Sequence, residues 1–390
     1  MQRYFDNAAT SFPKPDVVLD AIVQYTTQCG ASPGRGAYPQ AVDATELLDA
    51  CRTQLCEIVN APSASHCVFT LNCTDALNIA ILGIAKHFLS KKEHVHIVTT
   101  AMDHNSVLRP LHELASQGVT HTIVPADPET GIVSPEAIQQ SITNSTRLVA
   151  VAHGSNVSGT VQDLSRIGAV CGDVPLLVDA AQTMGHTPLD VQAMHIDLLA
   201  FPGHKGLLGP QGTGGLILKP GIERILDSTR TGGTGSQSEH PVQPETMPDK
   251  YESGSHNMVG IAGLVASTRW ILNKGVEAIH KLERQRTGQF LEELATVEGV
   301  RIAGPLTNEH RCGVFSLVSE TCPHEFAKAL ESEFGICARS GLHCAPFAHK
   351  TFGTDVLGGT LRVSIGPFHT EEDVSFLTQA IAACVQKCLV

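Results

Sequence analysis

Short apolar segments alternate with helical segments along much of the chain, and this alternation is the feature that most restricts the fold. Seven apolar segments have the character of strands: 68–71, 97–100, 120–124, 148–152, 176–178, 198–200 and 215–218. Short, nearly continuous apolar runs are typical of strands covered on both faces, as in a parallel sheet between helices. The sequence therefore predicts an α/β fold with a mostly parallel seven-stranded sheet.

The chain is long enough for two domains, because its 390 residues exceed the usual size of one. We expect a large domain over residues 16–257 and a smaller α+β domain built from residues 1–15 and 258–390. The stretch 229–255 is rich in Gly, Ser, Thr, Pro and Glu and is too long for an ordinary connector, which favours a functional loop. Strands of the smaller domain are predicted near 300–302, 313–318, 336–338 and 361–365.

Polar residues follow several predicted strands at the point where each strand ends. Thr74 follows the first strand, His104 the second and Asp179 the fifth. Ligands of open α/β sheets bind outside the carboxyl ends of the strands, so these side chains are expected to share one crevice. Thr74 also opens a helical run, where free amides favour an anion such as phosphate. A simple helix cap at Asn72 or Thr74 is a compatible alternative.

Lys205 lies in a glycine-rich turn after the sixth predicted strand. Apolar surroundings favour the neutral amine, which can form a Schiff base with an aldehyde such as pyridoxal phosphate. Asp179 would then keep the pyridine nitrogen of that cofactor protonated. The imidazole of His104 can stack on the ring and move protons. Each residue alone is more simply a solvated lysine, a turn aspartate or a surface histidine, but their shared strand-end position favours chemistry.

Taken in order, these motifs resemble those of the cysteine desulfurase group of class V aminotransferase-fold enzymes. The resemblance covers nearly the whole chain and rests on the segments 4–10, 103–104, 156–159, 179–182 and 203–205. It implies the fold type I of pyridoxal phosphate enzymes, a pyridoxal 5′-phosphate cofactor attached to Lys205, and a homodimer.

The same resemblance implies further roles for individual residues. The implied cofactor contacts in the subunit itself are Cys73, Thr74, His104, Asp179, Gln182, His204 and Lys205. Ser255 would reach the phosphate in the neighbouring subunit, while Pro202 stands where the family often has a Ser or Thr contact. The implied substrate contacts are Asn156, Arg362, Asn7 and Ala8. An arginine fork suits a carboxylate because it offers two parallel hydrogen bonds. Arg35 is either a further site residue or a loop arginine.

The segment 339–346 resembles the motif that carries the nucleophilic cysteine of desulfurases. Cys344 is therefore the candidate catalytic nucleophile, beside Lys205 and His104, and its thiolate would take sulfur from L-cysteine to leave alanine and a protein persulfide. His343 is expected to lower the pKa of the thiol, and Leu342 replaces a second histidine found in many members of the short-loop subgroup.

Two other functions stay open at this point. A selenocysteine lyase, or another C–S lyase of the same fold, would act on L-selenocysteine or a related substrate. A non-catalytic scaffold or sulfur-carrier partner is the alternative from another class, and intact Lys205, Asp179 and His104 argue against it. A sulfur acceptor protein or thiol is the expected partner of a desulfurase.

Composition excludes several function classes. Hydrophobic residues make up 42% and charged residues 17%, as in a globular chain. The net charge of -12 without a dense basic run excludes nucleic acid and anionic membranes as partners. No apolar stretch could span a bilayer and no signal-like segment opens the sequence, so a cytoplasmic protein is expected. The 12 cysteines are scattered without CxxC pairs, and Cys384 with Cys388 would supply only two ligands, so we predict no metal.

Overall fold

The computed structural model describes residues 3–34, 36–237 and 239–388, and this part of the chain alternates strands with helices. The strands are β1 Arg3–Tyr4, β2 Cys67–Thr70, β3 His96–Thr100, β4 Thr120–Val124, β5 Thr146–Ala152, β6 Leu176–Asp179, β7 Leu198–Pro202, β8 Gly214–Leu218, β9 Arg301–Ala303, β10 Val314–Val318, β11 Ile336–Cys337, β12 Arg339–Gly341 and β13 Thr360–Ser364. The α-helices are α1 Asp16–Gln24, α2 Pro39–Ile58, α3 Cys73–Ser90, α4 Asn105–Ala115, α5 Pro135–Ser141, α6 Leu164–Cys171, α7 Met258–Lys274, α8 Val276–Leu294, α9 Pro323–Phe334, α10 Pro346–Thr351 and α11 Glu371–Cys388. Among the described helices, none combines the length and apolar character needed to cross a bilayer.

The largest sheet has seven strands in the order β2-β8-β7-β6-β5-β3-β4. Neighbouring strands are parallel, except that β8 is antiparallel to both β2 and β7. Apolar residues of β6, β7 and β8 are buried on both faces, because helices cover the sheet on each side. The predicted α/β fold with a mostly parallel seven-stranded sheet is confirmed.

A second, antiparallel sheet in the C-terminal part of the chain has the order β12-β13-β10-β9. The N-terminal strand β1 pairs in parallel with β11, so the start of the chain packs against this C-terminal part, as expected. A separate apolar cluster around Phe5, Phe290 and Phe315 forms its core. Helix α7 packs against α1 and α2 on the large sheet, and the predicted boundary between residues 257 and 258 stays a prediction.

The topology determines where a functional site can form. Because β2, β3, β5, β6 and β7 run in the same direction, their carboxyl ends meet at one edge of the large sheet. The segments that leave these ends contain most of the polar residues predicted from the sequence. The antiparallel sheet contributes β13, and with it Arg362.

Candidate functional site

A cavity of about 110 Å³ lies at this edge of the large sheet. It brings together eight residues predicted from the sequence: Cys73, Thr74, His104, Asn156, Asp179, Gln182, His204 and Lys205. A second cavity shares Gln182 and Lys205 with the first, and Asn7 and Ala8 line it. Lys205 therefore borders both cavities.

The turn that carries Lys205 is closed by backbone hydrogen bonds directly after β7. The Leu208 N–H donates to the Lys205 carbonyl at 2.8 Å, and the Gly203 N–H donates to the Thr213 carbonyl at 2.8 Å. A Cβ on Gly203 would overlap the Thr213 side chain, which explains the glycine there. Burial lowers the pKa of Lys205, and the Asp179 carboxylate opposes this shift. The neutral amine is therefore more populated than for a lysine in water.

Asp179 ends β6 and is held through one of its two carboxylate oxygens. Its Oδ1 accepts the Ala181 N–H at 2.9 Å and the Cys73 thiol at 3.4 Å. Burial raises the pKa of Cys73 well above its usual value, and the Asp179 charge adds to this, so the thiol keeps its proton. In the described part of the chain no donor was found for Oδ2, which leaves that oxygen available to a ligand.

His104 and Thr74 are joined by a chain of hydroxyl groups. His104 is the N-cap of α4, and its Nδ1 accepts the Ser106 N–H at 3.1 Å and lies 2.8 Å from the Ser106 hydroxyl. That hydroxyl lies 2.8 Å from the Thr74 hydroxyl. Burial lowers the pKa of His104, so we assign a neutral ring with its proton on Nε2. Sequence reasoning missed Ser106, whose only signal is its place in the first turn of α4.

At the start of α3, the helix cap and the cavity use different side chains. The Asn72 side chain caps the helix by accepting the Asp75 N–H at 2.9 Å, while Thr74 faces the cavity in the first turn. The ring of His204 lies in the same cavity, and its Nδ1 is buried without a hydrogen-bond partner among the described residues. Burial lowers the pKa of His204 to about 4. A buried, unpaired ring nitrogen is costly, so a bound acceptor or donor would stabilise it.

Arg362 on β13 is only 4% exposed and is held by two partners. It donates to Asp6 Oδ1 at 3.0 Å and to the Asn156 carbonyl at 3.1 Å, while its Nε is buried without a partner among the described residues. Arg339 donates to the other oxygen of Asp6, with its Nη2 at 2.9 Å from Oδ2. Burial lowers the pKa of Arg362, and Asp6 opposes that shift. Sequence reasoning missed Asp6 as a partner, although it lies inside the recognised opening segment.

Cys344 is exposed on a tight turn between β12 and α10. Its carbonyl accepts the Asn105 N–H at 2.8 Å, and the preceding His343 carbonyl accepts the Asn156 side-chain amide at 2.6 Å. His343 and Cys344 have φ values of 48° and 58°, a left-handed conformation that costs about 1–2 kcal/mol per residue. The turn is thus tied to the edge of the large sheet, next to His104.

The structure does not support the expectation that His343 acts on the Cys344 thiol. The His343 Nε2 lies 3.2 Å from the Thr360 carbonyl oxygen, and burial lowers the pKa of the ring to about 2. A neutral imidazole directed at Thr360 offers no positive charge that could stabilise a thiolate.

The N-terminal segment reaches the site through its backbone. The Ala8 carbonyl accepts the Gln182 amide at 3.0 Å, and the Ala8 N–H donates to the Ser364 hydroxyl at 2.8 Å. The Asn7 side chain donates to the Ser364 carbonyl at 3.3 Å. Ser255 is different, because it is exposed and lines another pocket with Asp75 and Arg230 and neither of the two cavities that Lys205 borders.

Two further residues considered from the sequence, Arg35 and Cys388, lie wholly or partly outside the part of the chain that the structure describes. Arg35 lies outside the described residues, and so do the side chain of Cys388 and the two residues that follow it. Within the described residues there is no group of three or more His, Cys, Asp or Glu side chains arranged to hold a metal ion.

Comparison with known proteins adds an independent finding. Residues 3–377 match the family described as Aminotransferase class-V. The chain is 36% identical over 383 residues to a probable cysteine desulfurase of Methanothermobacter thermautotrophicus, covering 97% of this chain and 93% of that one. It superposes on the apo structure of a cysteine desulfurase from Thermococcus onnurineus NA1 with a TM-score of 0.91 and 30% identity, covering 99% of this chain and 95% of that one. It superposes on the cysteine desulfurase CsdA from Escherichia coli with a TM-score of 0.85 and 26% identity, covering 99% of this chain and 95% of that one.

Proposed function

Because the chain belongs to the class V aminotransferase family, we propose that it is a pyridoxal 5′-phosphate-dependent cysteine desulfurase. It converts L-cysteine to L-alanine and keeps the sulfur on Cys344 as a persulfide. The observation that carries this proposal is the meeting of Lys205, Asp179 and His104 in one cavity, with the Cys344 turn bonded to the residue after His104.

The residues of the first cavity fit the cofactor. Asp179 Oδ2 would accept the proton of the ring nitrogen, Gln182 would contact the ring hydroxyl, and His104 would cover the ring face. Thr74, Cys73 and His204 would hold the phosphate end at the start of α3, where helix amides attract an anion. The unpaired His204 Nδ1 supports this assignment. When bound, pyridoxal phosphate withdraws electrons from Cα of the amino acid.

Lys205 is the base and acid of the proposal. Its lowered pKa gives Nζ a larger neutral fraction, and the neutral amine is the form that attaches to the cofactor and removes a proton from Cα. The neighbouring Asp179 charge limits the shift, so the same nitrogen can return a proton afterwards.

Arg362 and Asn156 bind the substrate carboxylate in this proposal. The free Nε of Arg362 and the remaining N–H groups of its fork suit two parallel bonds to a carboxylate. Asp6 holds the fork in place from the other side, and Asn7 and Ala8 border the second cavity beside Lys205. The substrate is thereby oriented with Cα toward Nζ.

Cys344 receives the sulfur. A new S–S bond forms as the Cβ–S bond of the substrate breaks, and the proton of the Cys344 thiol ends on a carbon of alanine. L-cysteine and the enzyme thiol thus give alanine and the enzyme persulfide without an external oxidant. A second protein or a small thiol then collects the sulfur from the exposed turn.

The proposal includes a homodimer in the cytoplasm. Ser255 is exposed and does not line the first cavity of its own chain, which suits a residue that acts on the phosphate of a neighbouring subunit. The exposed Cys322 and Cys344 are free thiols, as expected in a reducing compartment.

The decisive experiment measures alanine and sulfide released from L-cysteine by the purified protein in the presence of a reductant. Cys344→Ala should abolish sulfur transfer, whereas Cys322→Ala, which removes another exposed thiol, should leave it intact. Lys205→Ala should lose the cofactor mass that borohydride otherwise fixes to that peptide. Full activity of Cys344→Ala would refute the sulfur-acceptor role, and faster turnover of L-selenocysteine would favour the lyase alternative.

A further inference from the structure

A buried ion pair outside the groups used above joins His186 to Glu283 on α8. The His186 Nδ1 donates to Glu283 Oε2 at 2.5 Å, and the Gly313 N–H donates to Oε1 at 2.6 Å. Glu283 is buried, as is most of His186. A carboxylate away from water is costly unless it is paired and hydrogen-bonded, and here both of its oxygens have partners.

The interactions within the pair favour the charged form of both members. Burial alone would lower the pKa of His186, but the Glu283 charge and hydrogen bond and the Gln182 backbone carbonyl raise it above its usual value. Burial would likewise raise the pKa of Glu283, but the His186 charge lowers it overall.

The other titratable groups packed around the pair do not replace this charge. Burial lowers the pKa of His153, after β5, to about 3, and it also lowers that of His280 on α8. Burial raises the pKa of Cys312, ahead of β10, to about 12, so its thiol is uncharged. The charge of Arg284 lowers the pKa of His280, and the charge of Arg311 lowers the pKa of Cys312. Neither arginine is among the groups that shift the pKa of Glu283.

His186 touches the turn that carries Lys205. A Cβ added to Gly206 would overlap the His186 ring and would lie 2.5 Å from the Met184 carbonyl oxygen, so the residue after Lys205 packs directly on this ring. His186, Glu283 and Lys205 also line the same second cavity. The His186–Glu283 pair thus connects α8 to the turn that carries Lys205.

Glu283 is also connected, through Gly313, to the strand that carries Arg362. The Gly313 N–H is bonded to Glu283, and the Gly313 carbonyl accepts the Ile365 N–H at 2.8 Å. Ile365 follows β13, and Arg362 pairs across the sheet with Ser316 of β10. An unbroken series of contacts thus runs from Gly206 through His186, Glu283 and Gly313 to the end of β13.

We propose that the His186–Glu283 pair is a positioning pair that sets the distance between the Lys205 turn on the large sheet and Arg362 on the antiparallel sheet. This inference rests on the proposed function, in which Lys205 acts on Cα while Arg362 holds the carboxylate of the same substrate. Such groups must be held closely in place, because a displacement of about 1 Å can cost about 100-fold in rate. Neither His186 nor Glu283 needs to touch the substrate.

The test variant is Glu283→Gln, which removes the charge and keeps an oxygen for the Gly313 N–H. With the cofactor-loaded enzyme we expect kcat for L-cysteine to fall about 10- to 100-fold, KM to change less, and the bound cofactor per chain to stay at the wild-type level. Asp227→Asn is the control, because it alters another His–carboxylate pair, His87–Asp227 at 3.0 Å, which borders neither cavity and whose carboxylate is more exposed. The control should keep wild-type kinetics.

Hydrogen–deuterium exchange of the cofactor-free protein gives a readout independent of activity. In Glu283→Gln, peptides over 203–209 and 360–365 should exchange faster, while the strands on the far side of the large sheet exchange as before. Wild-type kcat in Glu283→Gln, equal losses in the control, or faster exchange throughout the chain would each overturn the proposal. Should Glu283→Gln fail to fold, the double variant His186→Gln/Glu283→Gln, which buries neither charge, is measured against the same outcomes. If the unaltered protein has no desulfurase activity, the proposed function is refuted instead. The exchange of peptides 203–209 and 360–365 then shows by itself whether the pair couples the Lys205 turn to β13.

Discussion

Replacing Arg362 with lysine tests how the substrate is held. Lysine keeps a positive charge beside the buried Asp6, so that carboxylate is not left unpaired. It cannot offer the two parallel bonds of the guanidinium fork, and at least one charge-assisted hydrogen bond to the substrate carboxylate is lost. Such a bond contributes about 1.5–3 kcal/mol, which corresponds to a rise in KM for L-cysteine of about 10- to 150-fold.

The assay is alanine formation as a function of substrate concentration, with L-cysteine and with its methyl ester, which lacks the carboxylate. In the unaltered protein the ester should be the poorer substrate, and in Arg362→Lys this preference should largely disappear. Arg339→Lys is the matched control, because Arg339 binds the same Asp6 while its side chain is 54% exposed, and we expect less than about a threefold change. An unchanged KM for L-cysteine in Arg362→Lys, or an equal rise for the ester, would refute the reasoning.

Three further predictions follow from the contacts described above. Asn72→Ala removes the cap of α3 and should lower the free energy of unfolding, measured by denaturant titration, by about 1 kcal/mol. It should also weaken cofactor binding, measured by fluorescence. Unchanged stability would contradict the role of the cap. His343→Asn should leave the pH profile of Cys344 alkylation by iodoacetamide unchanged, because the buried ring is neutral; a displacement of one pH unit would contradict this. The raised pKa of His186 means that its contribution to stability is complete below its ordinary value of 6.5 and is lost as the pH rises through the raised value. The difference in Tm between the unaltered protein and Glu283→Gln should therefore shrink from pH 6 toward pH 9, and a constant difference would contradict the pairing.

Local sequence signals were sufficient for the large sheet and for most of the cavity. Apolar runs such as 198–200 specify strands that are covered on both faces, and the polar residue after each run falls at a strand end. Since parallel strands present their carboxyl ends at one edge, Thr74, His104 and Asp179 had to converge once the sheet was predicted. The resemblance to a known family added roles, among them those of Cys344 and Arg362, that spacing alone does not supply.

Other features depend on contacts between residues that are distant in sequence. Asp6 holds Arg362 across 356 positions, and His186 pairs with Glu283 across 97, so no local pattern announces either partner. The sequence suggested that His343 would act on the neighbouring thiol, but the fold turned its ring to Thr360 and removed its charge by burial.

The sequence by itself thus determined the order of strands and helices and the residues that leave the strand ends, because these follow from local hydrophobic periodicity and from the direction of parallel strands. Only the tertiary structure decided which ionisable groups are charged and what holds them, as with Lys205, Arg362 and the His186–Glu283 pair. The physical reason is that burial and partner distance set a pKa, and both are properties of the packed chain.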